Sequence, residues 1–204
     1  MKFGVFDHMD RAGPDLGRQF EERLRLVELY EGAGFHAYHL AEHHATPLGM
    51  APSPSVFLAA VAQRTTTLRF GPLVYTLNLY HPLRLIDEIC MLDQMSGGRL
   101  ELGVGYGWNR EECATHGVDL DTVRPRLIDH IALMRELWTG DEGTYSGDYC
   151  SVEPSWSWPK PAQQPAPPIH VGARATTDVF DDIATWADGW LPNRSRPPHC
   201  FRVP

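Results

Sequence analysis

Short apolar segments alternate with amphipathic segments along most of the chain, and this alternation is the strongest constraint on its fold. We expect strands at residues 3–6, 36–41, 68–77, 99–104, 168–172 and 189–191. We expect helices at residues 15–33, 56–64, 82–96, 121–138 and 176–187. Strands that alternate with helices are typical of βαβ units and of a parallel sheet with right-handed crossovers. The sequence therefore predicts an α/β fold.

The length of the chain limits how far such a sheet can close. A closed barrel of eight strand–helix units typically takes ~250 residues, whereas this chain has 204 and supplies about six units. Either the sheet is open, or the barrel is incomplete, or a partner completes it. Residues 140–168 carry six prolines and no helical period, so we expect a long excursion with room for a small hairpin. Residues 1–193 are expected to form one domain, followed by an unstructured tail at 194–204.

The composition argues against several classes of protein. Hydrophobic residues make up 43% and charged residues 22% of the chain, as in ordinary globular proteins. A net charge of −8 argues against a nucleic-acid partner or an anionic membrane. We find no run of 18 apolar residues, and the chain turns polar at Asp7, too early for a signal peptide. We therefore expect a cytoplasmic protein whose four scattered cysteines are free thiols.

Glu42, His43 and His44 stand together where the second strand is expected to end. The carboxyl ends of parallel strands are where α/β proteins build active sites. A histidine there can act as a general acid or base near neutral pH, with Glu42 fixing a ring or a ligand. A polar strand end with ordinary hydrogen bonds explains the same residues, so both interpretations stay open. A metal site shared with His36 and His39 is a weaker interpretation, because those two side chains point to opposite faces of a strand.

Two glycine-containing segments follow the fourth and fifth strands. Alternating glycines in residues 103–108 would let a planar ligand or a phosphate approach the backbone, although such glycines also form tight turns. The run is not the dinucleotide fingerprint, whose third glycine comes later and opens a helix. Residues 172–177 precede a helix whose free N–H groups favour anions, and Arg174 adds a cation. A simple N-cap by Thr176 or Thr177 explains that segment equally well.

Several separate motifs follow one another in order along the chain. They are Met1–Phe6, Glu42-His43-His44, His81-Pro82-Leu83-Arg84 with residues 92–99, residues 103–108, and Ile169–Gly172 with Ala187–Trp190. Together, from residue 1 to about residue 193, they resemble the bacterial luciferase-like family of flavin-dependent monooxygenases. The resemblance implies a TIM-like (β/α) barrel, incomplete at the C-terminus, with reduced FMN bound at the carboxyl ends of the strands. It also implies that O2 is used to oxidise an aldehyde or another small organic substrate.

The resemblance further assigns roles to individual residues. It implies that His43 is the catalytic histidine, that Glu42 lies beside the flavin, and that a non-proline cis peptide joins Leu73 and Val74 under the flavin ring. The other cofactor-binding positions that it implies are Tyr106, Gly107, Gly172, Ala173, Arg174, Thr176 and Thr177. Tyr106 stands where luciferase has a phosphate-binding arginine, and Arg174 where it has a serine. We therefore expect the phosphate-binding cation to have moved to Arg174.

The leading expectation is an FMN-linked monooxygenase with no metal. A flavin reductase would supply reduced flavin, and a homodimer would cover the exposed edge of an unfinished sheet. One alternative is an oxidoreductase of the same superfamily that uses the deazaflavin F420 and transfers hydride without oxygen. Two others are a flavin-binding protein without catalysis and a metal-dependent hydrolase on the same barrel.

Overall fold

The computed structural model describes residues 1–44, 46 and 48–192, so the predicted tail at 194–204 lies outside the described residues. The helices are α1 Leu16–Gly32, α2 Pro54–Arg64, α3 Pro82–Ser96, α4 Arg110–Thr115, α5 Val123–Thr139 and α6 Thr177–Trp186. The strands are β1 Gly4–Asp7, β2 Ala37–Leu40, β3 Arg69–Pro72, β4 Tyr75–Thr76, β5 Leu102–Gly105, β6 Glu142–Ser146, β7 Ser151–Trp156, β8 Ile169–Ala173 and β9 Gly189–Pro192. Short 3-10 turns lie at Leu77–Leu79 and Leu120–Thr122.

Every neighbouring pair of strands outside the excursion runs parallel, as the alternation predicts. One sheet has the order β1-β2-β3 and the other β4-β5-β8-β9. A bridge between Phe70 and Leu100 joins the two sheets beside β3. The strands thus follow one another in chain order along a single open arc. Within the described part of the chain the arc does not close into a barrel.

The two faces of this arc carry different side chains because successive residues of a strand point to opposite sides. Tyr38, Phe70, Val104 and Val171 are fully buried and belong to the apolar core that also includes residues from the helices. The residues next to them in the same strands, His39, Gly71, Gly103 and His170, lie on the other face. His39, one of the residues considered for a metal site, is therefore placed away from the apolar core.

Helix ends agree with the signals in the sequence. Helix α1 begins after Asp15, whose side chain accepts a hydrogen bond from the Arg18 amide. Helix α3 has Pro82 at its first turn and ends at Gly97, which adopts a left-handed conformation with φ of 65°. None of the helices in the described residues has the length and hydropathy of a membrane-spanning segment.

The third predicted strand, residues 68–77, is wrong as a single element. The structure divides it into β3 and β4, with a cis peptide between Leu73 and Val74, followed by a 3-10 turn. Pro72 has no amide hydrogen to donate, so it ends the regular ladder. A continuous run of apolar residues predicts a single strand, because nothing in its pattern shows whether the backbone changes direction within it.

The fourth strand begins later than the predicted residues 99–104, at Leu102. Arg99 bridges to the α2–β3 connection instead, with its guanidinium donating to carbonyl oxygens of Ala62, Thr65 and Leu68 at 2.7–2.9 Å. The expected excursion does contain a small hairpin, formed by antiparallel β6 and β7. The short helix α4 was not predicted at all.

Candidate active site

A cavity of about 900 Å³ opens at the carboxyl ends of the strands. This volume is within the range of small-molecule and cofactor sites. Ten of the residues singled out from the sequence line it together: Glu42, His43, Leu73, Val74, Tyr106, Gly107, Gly172, Ala173, Arg174 and Thr176. Thr177 is the exception, since it lies exposed at the first position of α6 and not in the cavity wall. Phe6 and Trp108 add exposed aromatic surface to the wall.

Glu42 is a buried carboxylate held by three partners. The Tyr80 hydroxyl donates to its Oε2 at 2.8 Å, the Thr76 amide donates to Oε2 at 3.3 Å, and His44 Nε2 lies 2.9 Å from Oε1. Burial raises the pKa of Glu42, against the effect of its hydrogen bonds with His44 and Tyr80. The hydrogen bond with Glu42 in turn raises the pKa of His44. Glu42 and His44 therefore form a pair that retains a proton and fixes the loop after β2.

His43 is the histidine of this loop that faces the cavity. Its ring lies parallel to the ring of His8, with centroids 5.7 Å apart, and its Nδ1 lies 4.0 Å from Oε1 of Glu112. Burial lowers the pKa of His43, and the charge of Glu112 offsets part of that effect. The neutral ring is thus favoured, which suits a group that accepts a proton near neutral pH.

Glycines fix the position of His43 and of the cavity floor. Gly49 adopts a φ of 77°, and a Cβ added there would lie 3.2 Å from the Cβ of His43. The Val74 side chain fits between Gly105 and Gly172, where an added Cβ would come within 2.5 Å of its methyl groups. Gly103 leaves room for the carbonyl oxygen of Pro72, 2.2 Å from the position of an added Cβ. The absence of a side chain at Gly103 and Gly105 therefore makes room for protein atoms, and Gly105 also lines the cavity.

Tyr106 lines the cavity, but its hydroxyl is committed to the protein. It donates to Oδ2 of Asp182 at 2.6 Å, and the Arg124 guanidinium binds the same carboxylate at 2.8 and 3.0 Å. Burial and Asp182 raise the pKa of Tyr106. The Asn78 side-chain amide also donates to the Tyr106 carbonyl at 2.7 Å. These contacts make Tyr106 a rigid wall that ties β5 to α6.

The amino end of α6 faces the cavity through the residues that precede it. Thr176 caps the helix by accepting a hydrogen bond from the Val179 amide at 3.3 Å, so the structural interpretation of this threonine is correct. Thr176 also lines the cavity, so capping and ligand contact are compatible at this position. Arg174 is exposed and lies in the same wall. A cation and a helix amino end at one site favour an anionic group.

Two titratable residues of this site, His8 and Glu112, are not among the residues predicted from the sequence. His8 comes one residue after β1, so it meets the same rule that drew attention to Glu42 and His43. Glu112 lies on α4, where Asn109 accepts hydrogen bonds from the Glu111 and Glu112 amides, and its carboxylate accepts the His44 amide at 3.0 Å. An asparagine followed by two glutamates is an N-terminal helix signal that could have located α4.

A second group of polar residues lies near the amino ends of the strands and is called here the amino-end cluster; it consists of His36, His39, Arg69, Glu101 and His170. Glu101 pairs with Arg69 at 2.7 Å and with His39 at 3.2 Å. Burial alone would raise the pKa of Glu101, but these two partners outweigh it and lower the pKa to about 2. No group of three or more metal-ligating side chains is found among the described residues.

Comparison with known proteins identifies relatives along the whole described region. A family model described as luciferase-like monooxygenase matches residues 1–203. The chain is 46% identical over 187 residues to the uncharacterized protein y4wF of Sinorhizobium fredii, covering 92% of this chain and 53% of that protein. It is 33% identical over 178 residues to the oxygenase component of a flavin-dependent trigonelline monooxygenase of Acinetobacter baylyi, covering 85% of this chain and 49% of that one.

A solved structure has the same arrangement of elements. The monooxygenase RslO1 from Streptomyces bottropensis superposes with a TM-score of 0.84 at 33% identity, covering 90% of this chain and 56% of that one. The chain thus spans about half the length of the relatives that it matches.

Proposed function

Because this chain belongs to the luciferase-like monooxygenase family, we propose that it acts as an FMN-dependent monooxygenase that uses reduced FMN and O2 on a small organic substrate such as an aldehyde. The observation that carries this proposal is the cavity itself. It lies at the carboxyl ends of parallel strands and brings ten of the residues expected at a flavin site into one wall. The strand arc is proposed to be part of a (β/α) barrel that is incomplete in this chain.

The residues of the cavity fit a flavin mononucleotide in size and in chemistry. Val74, seated between Gly105 and Gly172, would form an apolar floor under the ring system, with Leu73 next to it. Arg174, Thr176 and the amino end of α6 would hold the phosphate. When bound, reduced flavin supplies the electrons that let O2 oxidise the substrate.

His43 is proposed to be the catalytic residue because it is the histidine of the Glu42-His43-His44 loop that lines the cavity. The Glu112 carboxylate lies on the Nδ1 side of its ring, which favours a proton on Nδ1 and leaves the Nε2 lone pair to accept another. Glu42 is proposed to border the cofactor and to keep this loop in place through Tyr80, Thr76 and His44. Tyr106 and Gly107 would close the cavity on the β5 side.

A flavin reductase partner follows from this proposal, since a protein that consumes reduced flavin needs a supply of it. A homodimer is also proposed, because β1 lies at an edge of the arc with backbone groups open to pairing. The cytoplasm, where reduced flavin is produced, is the proposed location.

The test is oxygen consumption by the purified chain with reduced FMN and a panel of aldehydes, with product analysis. We expect uptake and oxidised product above the background of free flavin. If FMN binds but uptake and product stay at background, the chain is a flavin-binding protein without catalysis. Anaerobic activity with reduced F420, and none with FMN and oxygen, would instead favour the F420-dependent alternative. Bound metal with no affinity for flavin would favour the hydrolase.

A further inference from the structure

A second cavity, of about 370 Å³, lies between the amino end of α3, helix α5 and the β6–β7 hairpin. It is lined by different residues from the candidate active site, and the two cavities have no lining residue in common. They are linked by one side chain. Tyr80 lines the second cavity, while its hydroxyl donates to Glu42 in the wall of the first. The volume lies at the small end of the range of small-molecule sites.

The charge of this cavity is positive although the chain as a whole carries −8. Arg126 lies in the wall, as do His81 and His130, and no carboxylate of the described residues lines the cavity. Asp129 is close by in sequence, but its carboxylate accepts hydrogen bonds from the Tyr149 and Cys150 amides and from the Tyr145 hydroxyl. The Asp129 carboxylate is therefore already occupied by the hairpin.

Two polar groups in the wall lack partners among the described residues. His130 is only 2% exposed, and its Nδ1 has no hydrogen-bond partner. The Nε of Arg126 is also buried without a partner, although its guanidinium lies over the Tyr149 ring at 5.6 Å. Buried polar groups are normally satisfied, so two unmet groups beside one cavity point to a ligand that meets them.

The amino end of α3 adds a third feature that favours an anion. His81 precedes the helix and makes no side-chain capping bond, and Pro82 has no amide hydrogen. The next amides of the first turn therefore lack a cap, and the helix dipole directs its positive end to this place. Leu83 and Leu133 supply apolar surface in the same wall.

We propose that this cavity binds a small carboxylate with a short apolar body. The carboxylate group pairs with Arg126 of α5 and faces the amino end of α3, and the apolar body lies against Leu83 and Leu133. An arginine fork matches a carboxylate in geometry, and the two leucines match hydrocarbon better than they match a free phosphate. Cys150 is not a nucleophile here, because burial and Asp129 raise the pKa of its thiol to about 12. The cavity is thus a binding site and not a second catalytic centre.

Binding of a carboxylate in this cavity should change the pKa of His130. Burial and the positive charges of Arg126 and His81 lower the pKa of this ring to about 4, against the opposite effect of Asp129 and the Leu77 backbone. A carboxylate beside the ring favours its charged form, so the pKa of His130 rises when the site fills. A ligand bound in the larger cavity would leave this signal unchanged.

The experiment follows the His130 imidazole by NMR in the intact chain while benzoate is added. We expect saturable binding at millimolar concentration or below, a rise of the His130 titration midpoint, and affinity at least tenfold weaker in Arg126→Gln. Arg25→Gln is the matched control, since it removes the same charge from an exposed position on α1 that does not line the cavity, and it should bind benzoate within twofold of the wild type. Benzamide, which is neutral, should bind at least tenfold more weakly.

The proposal is overturned if benzoate leaves the His130 signal unchanged, or if Arg126→Gln or benzamide behaves like the wild type with benzoate. Circular dichroism checks that Arg126→Gln is folded. If it is not, Leu83→Trp takes its place: a side chain that fills the cavity from α3 should abolish the effect of benzoate on His130, and an unchanged effect again overturns the proposal.

Discussion

The two ends of the strand arc contain similar residues in opposite arrangements. In the amino-end cluster, Glu101 is paired with Arg69 and His39. At the carboxyl ends, Glu42 is also buried among partners, but His43 beside it faces a cavity of about 900 Å³. Titratable residues are thus gathered at both ends, but none of the amino-end cluster lines this cavity. A group of histidines and carboxylates therefore indicates a ligand site only where it faces such a space.

Replacing a histidine at each end of the arc should change turnover by very different amounts, and we expect this difference to be greater than any of those that follow. His43→Gln should lower turnover by ~10²–10⁴-fold, the usual contribution of a general acid or base, while FMN affinity stays near that of the wild type. The matched variant His39→Gln, in the amino-end cluster, should keep turnover within a few-fold. The measurement is substrate-dependent oxygen uptake at saturating reduced FMN, with FMN affinity determined separately.

The pH profile gives the same prediction a second readout. Because burial lowers the pKa of His43, its neutral form persists below the ordinary value of 6.5, so the acid limb of turnover should lie below pH 6.5. That limb should disappear in His43→Gln and remain in His39→Gln. Equal turnover in the two variants would contradict the assignment of His43.

The next prediction concerns the free energy of unfolding in acid, to which Glu101 and Glu42 contribute with opposite signs. The pKa of Glu101 falls from 4.5 in the unfolded chain to about 2 in the fold, so its contribution is full above pH 4.5 and is lost as pH falls toward 2. This contribution amounts to at most about 3 kcal/mol. The pKa of Glu42 is raised, so its contribution is present below the unfolded pKa and is lost as pH rises through the folded pKa.

Urea unfolding at pH 7 and at pH 3 measures this difference. In Glu101→Gln, the loss of unfolding free energy on acidification should be smaller than in the wild type, because one group that causes the loss is gone. In Glu42→Gln, the loss should be larger, because a group that opposed it is gone. If the loss of unfolding free energy changed in the same direction in both variants, the pKa values of Glu101 and Glu42 would not be shifted in opposite directions, contrary to the prediction.

The smallest effect is expected at the phosphate position. Arg174→Gln should weaken FMN binding by about tenfold, or about 1.4 kcal/mol, because Arg174 is exposed and water competes for the phosphate. Arg69→Gln, in the amino-end cluster, removes the same charge and should leave FMN affinity unchanged. Fluorescence titration of FMN gives both values. If Arg69→Gln lost affinity for FMN and Arg174→Gln did not, FMN would bind at the amino ends of the strands, which contradicts the proposed site.

Much of the fold could be predicted because its signals are local. The apolar spacing of α1 and the Asp15 cap fix one helix, and Gly97 ends another. Strand order follows from strand–helix alternation. Glu42 and His43 could be placed because a strand end is visible as an apolar run followed by polar residues and prolines.

The remaining features depend on which atoms meet in three dimensions. Nothing in the sequence says that Val74, and not a ligand, occupies the space left by Gly105 and Gly172. Helix α4 has only six residues, too few to show a period, so Glu112 was missed with it. The hydroxyl of Tyr106 meets Asp182 across 76 positions of sequence, a pairing that no local pattern encodes.

The most direct test of the flavin site is hydrogen exchange with and without reduced FMN under anaerobic conditions. We expect FMN to slow exchange in segments that line the carboxyl-end cavity, at residues 105–113 and 172–180, and to leave exchange at residues 99–102, near the amino-end cluster, unchanged. Slower exchange confined to the amino ends of the strands, or no change in either carboxyl-end segment when FMN is bound, would contradict this expectation.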